Sequence, residues 1–195
     1  MVLPILSYGH PILRSPCREV VFNEAGLNTL VDDLWHTMYN ARGCGLAAPQ
    51  VNRSLQLFVV DSQTTFRALK PEERPYYFEK DDEGIIETFI NARIVESSDE
   101  TWEEEEGCLS IPNLVKPVTR PMGITIEYYD RNFIWQKQTF AGTTARMVQH
   151  EFDHTKGILY VDYLKPLARK LLSSKLRKIS RGLLPAKYLM TYLPK

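Results

Sequence analysis

Residues 150–154 read His-Glu-Phe-Asp-His, and two histidines four apart can work together only if the backbone between them is helical. At 3.6 residues per turn, positions i and i+4 differ by about 40° around the axis, so the two imidazoles project side by side and can chelate one metal ion. Glu151 lies beside that pair, close enough to reach a water on the same ion without being a ligand, as a general base requires. The alternative is an ordinary amphipathic helix that carries the pattern by chance. Two of the chain's four histidines fall within these five residues, which favours metal. The helix is expected to open near Thr143 or Thr144, run through Ala145–His154 and end at Gly157.

The rest of the chain reads as a scaffold for that helix. Its 195 residues, 44% hydrophobic and 25% charged, suit one domain with a sizeable core. Leu27, Leu30, Val31, Leu34, Trp35 and Met38 fall at helical spacing over 24–41, with Asn23 as a candidate cap and Gly43 as the stop. Residues 55–60 and 89–95 read as strands, and Gly123–Asp130 with Phe133–Phe140 as a hairpin around Arg131 and Asn132. The polar and acidic stretch 62–88 reads as a mobile surface excursion without chemistry. No glycine-rich phosphate loop is visible, which leaves nucleotide chemistry without support. The start of the chain lacks the layout of a signal peptide, and no stretch reaches the length of a membrane span. Three cysteines, an odd number, speak for a reducing compartment and thus for the cytoplasm.

Two imidazoles do not complete a catalytic site, which commonly has three protein ligands and one open position. After His154 the chain offers no histidine, no cysteine and only Asp162 as a carboxylate, so the third ligand is better sought upstream. Cys108 sits in Glu-Gly-Cys-Leu-Ser, where Gly107 permits close backbone approach; Cys17, after Pro16, has no such setting. A buried apolar role is the ordinary fate of a free cysteine and stands as the alternative for Cys108. Residues 43–50, Gly-Cys-Gly-Leu-Ala-Ala-Pro-Gln, form a small-residue turn that presents Gln50, whose uncharged amide can stabilise an oxyanion without competing for metal. Such a turn also serves simply as a packing device.

Together the three segments resemble the peptide deformylase family, whose signature runs GφGφAAPQ, EGCLS and QHExDH. Here these are Gly43, Gly45 and Leu46–Gln50; Glu106–Ser110; and Gln149, His150, Glu151, Asp153 and His154. The resemblance covers most of residues 3–165. With the elements above, it implies an α+β fold: mainly antiparallel β-sheets packed around a central metal-binding HExxH helix, with a basic C-terminal helix. It divides the chain into a catalytic part over 1–165 and a tail over 166–195 that is not an independent domain. Cysteine at 44, alanine at 92 and threonine at 155 depart from the common family residues without removing a catalytic group.

The resemblance further implies that Cys108, His150 and His154 hold one ion, typically Fe²⁺, with Zn²⁺, Ni²⁺ or Co²⁺ able to replace it. The implied reaction removes formate from the N-formylmethionine of newly made chains. Glu151 would carry the proton, while Gln50 and the Leu109 N–H meet the oxyanion. Gly45, Gln50 and Leu109 would form a cage that admits a formyl group. Gly43, Cys44, Gly107 and Met147 would bind the substrate. Glu106 and Arg120 would pair in support of Cys108, Gln149 would brace the region, and Asp153 would orient a histidine ring or cap backbone groups. After Asp162 the chain holds nine basic and no acidic side chains, which makes the tail a candidate for docking on ribosomal RNA; neither DNA nor a membrane is implied. The rival readings are a general metallopeptidase built on the same helix and a non-catalytic metal-stabilised ribosome-binding module.

Overall fold

The computed structural model describes residues 1–194; of the tail expected over 166–195, Lys195 lies outside the described residues. The first helix, α1 (Leu27–Asn40), turns Leu27, Val31, Leu34 and Met38 inward, the spacing that its sequence predicts. It begins at Gly26, in the left-handed region at φ 78°, and not at the expected cap Asn23, whose own left-handed turn lies outside the helix. Its end is a Schellman turn in which Arg42 takes the left-handed conformation and the Gly43 N–H reaches the Met38 carbonyl at 2.9 Å. The chain therefore leaves α1 at a defined angle and enters β2 (Gly45–Ala47), after a first short strand, β1 (Ile5–Leu6).

β2 is the edge of a five-stranded antiparallel sheet. Its other strands are β3 (Leu57–Asp61), β4 (Ile86–Ser97), β7 (Gly123–Tyr129) and β8 (Trp135–Ala141), in the order β2-β3-β4-β7-β8. β3 is buried along its whole length, so its apolar run has no polar alternation. In β4, Asn91 adopts φ 52° at a bulge and exchanges two hydrogen bonds with the Val20 backbone, tying the N-terminal segment to the sheet. A separate hairpin, β5 (Thr101–Cys108) and β6 (Ile111–Pro121), closes through the two residues Leu109 and Ser110. The apolar periodicity does not announce this hairpin, because β5 reads Thr-Trp-Glu-Glu-Glu-Glu-Gly-Cys.

Between β3 and β4 the excursion 62–88 lies largely at the surface, as its composition suggests, and holds two short helices, α2 (Gln63–Ala68) and α3 (Arg74–Tyr77). Phe78 is buried there and meets Phe66 edge-on at 5.3 Å, an aromatic anchor within polar sequence. The helix with the paired histidines, α4 (Gly142–Thr155), presses Ala145 and Val148 onto Phe58, Phe89, Ile124 and Ile126 of the sheet. It ends as expected at Gly157, whose φ of 76° belongs to a glycine position, with the Ile158 N–H on the Asp153 carbonyl at 3.0 Å. A last helix, α5 (Pro166–Ser180), buries Leu176 and Ile179, and the chain then returns as β9 (Met190–Thr191) to pair in parallel with β1. The result is a mixed fold of helices and antiparallel sheet. Among the described residues no helix is long and apolar enough to cross a membrane.

Phe89 is the centre of the sheet-to-helix core: fully buried, stacked on Phe58 at 4.7 Å and tilted against Tyr128 at 4.3 Å. Phe89→Ala is expected to lower unfolding free energy by about 3–5 kcal/mol, read as a fall in the urea midpoint at unchanged slope.

Candidate metal centre

The tip of β5 and the middle of α4 bring three donor atoms together. Cys108, His150 and His154 offer a sulfur and two ring nitrogens that all lie within 4.8 Å of one another. The Cys108 Sγ is 3.3 Å from His154 Nε2, and the two imidazole rings stand edge to face at 5.1 Å. Among the described residues this is the one group of three or more such side chains close enough to share an ion. The rival third ligands are elsewhere: Cys17 is buried with its N–H on the Thr155 carbonyl, and Asp162 pairs with Arg14 and accepts from the Leu159 N–H.

The donor set fits a divalent cation. Burial opposes charge on both rings; on His150 the Cys108 sulfur and the Glu106 carboxylate outweigh it and raise the pKa well above 6.5. On His154 burial and the neighbouring His150 lower it well below 6.5. A thiolate and two imidazoles suit several first-row ions. His150 Nδ1 lies 2.9 Å from Glu106 Oε2, which fixes the tautomer with the proton on Nδ1 and leaves Nε2 free as a donor.

Glu106 is itself held on three sides. Its carboxylate accepts from Arg120 Nε at 2.6 Å and Nη2 at 3.0 Å, from Arg146 Nη1 at 2.7 Å, and from His150. Burial alone would raise its pKa; the hydrogen bonds from His150 and Arg120 outweigh it and bring the carboxyl down to about 2. The Glu106–Arg120 pair expected from the resemblance is thus in place, and the contact it makes is with His150 and not with the Cys108 sulfur. The Asp153 carboxylate hydrogen-bonds to neither histidine ring: its Oδ2 accepts from Arg120 Nη1 at 2.8 Å and from the Tyr163 hydroxyl at 2.9 Å. Gln149 donates to the Pro121 carbonyl at 3.1 Å, joining α4 to the end of β6. Arg146, which the reading of the sequence missed, stands one turn before His150 on the same helix face, a spacing that could have found it.

The remaining residues meet at a cavity of about 850 Å³ lined by Gly43, Cys44, Gly45, Gly107, Leu109 and Met147 together with Cys108, His150 and Glu151. Glu151 is buried, its Oε2 has no hydrogen-bond partner, and burial pushes its carboxyl up to about 7. Gly45 makes room for it: a Cβ at that position would lie 2.5 Å from Glu151 Oε1. Gln50, on the helical turn after β2, is pinned by the Ala47 N–H on its Oε1 at 2.8 Å, which aims its amide N–H groups at Ser110 Oγ (3.2 Å) and Cys108 Sγ (3.6 Å). Thr64, Thr65, Leu69 and Tyr77 from the 62–88 excursion also line the cavity. That segment, expected to stand apart from any chemistry, forms a wall of the site, through Thr64 and Thr65 of α2 and Tyr77 of α3.

The network around Glu106 carries a direct expectation. Glu106→Gln leaves two buried guanidinium groups short of their counter-charge, and should cost about 3–5 kcal/mol of stability in denaturant unfolding. It should also weaken metal binding about 10- to 100-fold in a competition titration, through the loosened His150 ring.

The family model described as polypeptide deformylase matches residues 2–170. A peptide deformylase of Christiangramia forsetii is 40% identical over 192 residues, 98% of this chain and 96% of that protein. One from Salinibacter ruber is 42% identical over 188 residues, covering 96% and 93% respectively. Among solved structures, the peptide deformylase of Ehrlichia chaffeensis superposes with a TM-score of 0.81 at 32% identity, over 94% of this chain and 99% of that one. Agreement of sequence and fold over nearly the whole length leaves one conclusion: the chain belongs to the polypeptide deformylase family.

Proposed function

We propose that this chain hydrolyses the formyl amide of N-formylmethionine at the start of newly made proteins, with Cys108, His150 and His154 holding one ion, Fe²⁺ as resident and Zn²⁺, Ni²⁺ or Co²⁺ as possible replacements. The observation that carries the reading is Glu151: a buried carboxylate with an unpartnered oxygen, lining the same cavity as Cys108 and His150, which cluster with His154. A divalent ion bound by those three residues supplies a water acidified to near neutral pH and a Lewis acid for the formyl oxygen. Glu151 takes the proton from the attacking water as the new C–O bond forms, and passes it to the amine nitrogen as the C–N bond breaks, so that formate and a free amino terminus result. The oxyanion is met by the Gln50 amide and the Leu109 N–H. The close approach of Gly45 to Glu151 supports a cage that accepts a carbonyl bearing only hydrogen. The methionine side chain enters the pocket beside Cys44 and Met147, and the peptide runs along Gly43–Gly45 and Gly107 as an added strand.

The tail, in this reading, folds with the body and reaches the ribosome, and the protein works in the cytoplasm. Support comes from α5, which buries Leu176 and Ile179 yet leaves Lys170, Arg177 and Lys178 exposed. The pairing of β9 with β1 supports a tail that is part of the same folded unit.

Formate release from formyl-Met-Ala-Ser, by protein purified without oxygen and assayed for metal, tests the chemistry. Glu151→Ala should lose about 10²- to 10⁴-fold and Gln50→Leu about 10²- to 10³-fold while each retains one ion per chain. Equal cleavage of unformylated peptides would instead identify a general peptidase. For the tail, the triple change Lys170→Glu, Arg177→Glu, Lys178→Glu should weaken ribosome binding and flatten its salt dependence without altering formate release. Unchanged affinity removes the docking role.

A further inference from the structure

The Leu109–Ser110 turn is clamped from outside its own hairpin. The Leu109 carbonyl accepts from the Tyr188 hydroxyl at 2.7 Å, and the Ser110 carbonyl accepts from the Tyr8 N–H at 2.7 Å. Tyr8 follows β1 and Tyr188 precedes β9, and those two strands are paired in parallel, Ile5 with Met190 and Leu6 with Thr191. The two-stranded sheet therefore joins both clamps into one support. Its anchorage continues through the Ser7 N–H on the Thr191 carbonyl at 2.9 Å and the Leu193 N–H on the Ser180 carbonyl at 2.9 Å. Burial raises the Tyr188 phenol above its usual range, with the Cys108 sulfur adding to the effect, so the hydroxyl stays a donor. The ring lines the same cavity as Leu109 and packs against the core beneath α1.

This placement matters because the Tyr8 N–H and the Gln50 amide (3.2 Å) hold Ser110, while Tyr188 holds Leu109 itself. Between Gly107 and Cys108 the ladder of the hairpin shifts register, so the strands themselves do not rigidly fix the tip. A backbone N–H stabilises a developing oxyanion only if it is already aimed when the charge appears. The residue that supplies the aim lies at 188, beyond the segment 2–170 that matches the family model.

We propose that Tyr188 is a positioning residue for deformylation: its hydroxyl, carried by the C-terminal return strand, fixes the Leu109–Ser110 turn so that the Leu109 N–H is held ready for the oxyanion. The proposal rests on the role given to Leu109 above. Tyr188→Phe keeps the ring and the packing of the segment and removes only the hydroxyl. In the metal-loaded enzyme, kcat for formyl-Met-Ala-Ser is expected to fall about three- to tenfold, the worth of one neutral hydrogen bond, with KM and metal content unchanged. Tyr192→Phe is the control, since its hydroxyl accepts from the Ala186 N–H at 3.2 Å within the same segment and does not touch the turn; it should retain the parent's kcat. An unchanged kcat in Tyr188→Phe, a change in KM alone, or an equal loss in both variants overturns the positioning role. Absence of formate release by the parent itself would show that the deformylase reading fails first.

Discussion

The carboxylate of Glu106 is the point on which the site depends. It lies buried on β5 and receives Arg120 from β6, Arg146 and His150 from α4, so one anion ties the hairpin to the helix. Two guanidinium groups balance Glu106 and Asp153, and Arg146 also donates to the Val118 and Trp102 carbonyls. A buried charge without such partners would be costly; with them it becomes directional, because each hydrogen bond has a preferred line. Cys108 and His150 belong to different elements, and their relative position is set by this cluster more than by any apolar contact between them.

Around that fixed cluster, the groups needed for chemistry are left under-satisfied. Glu151 Oε2 is buried without a partner, whereas the carboxylates of Glu106 and Asp153 have several each. A buried carboxylate oxygen without a partner is a group available for proton transfer in the proposed reaction. Gly45 is part of the same economy of space, for the β2 edge approaches Glu151 so closely that no side chain fits between them.

Segments without a signature finish the groove. The helices of the 62–88 excursion provide one flank through Thr64, Thr65, Leu69 and Tyr77, and the C-terminal return provides another through Tyr188. Neither carries a ligand or a proton. They determine how wide the groove is and how firmly the turn after Cys108 is held, which are the properties expected to differ among enzymes sharing one set of reacting groups.

The α4 helix was legible because its signal is local: a four-residue histidine spacing, a stop at Gly157 and apolar contacts at Ala145 and Val148 all lie within fourteen residues. The three motifs likewise pointed to Gln50, Cys108, His150, Glu151 and His154. The β5–β6 hairpin was not legible, since four consecutive glutamates disguise a strand whose inward member, Glu106, is buried by ion pairing and not by hydrophobicity. Asn23 satisfied the composition of a cap while the chain turned instead at Gly26, because propensity ranks residues and tertiary packing chooses among them. The sequence by itself determined which groups could bind an ion, move a proton and answer an oxyanion, for those are properties of residue type and short spacing. Only the tertiary structure decided that Glu106 would grip His150, that α2 would wall the cavity and that Tyr188 would reach Leu109, because each depends on strands and loops distant in the chain meeting at one place.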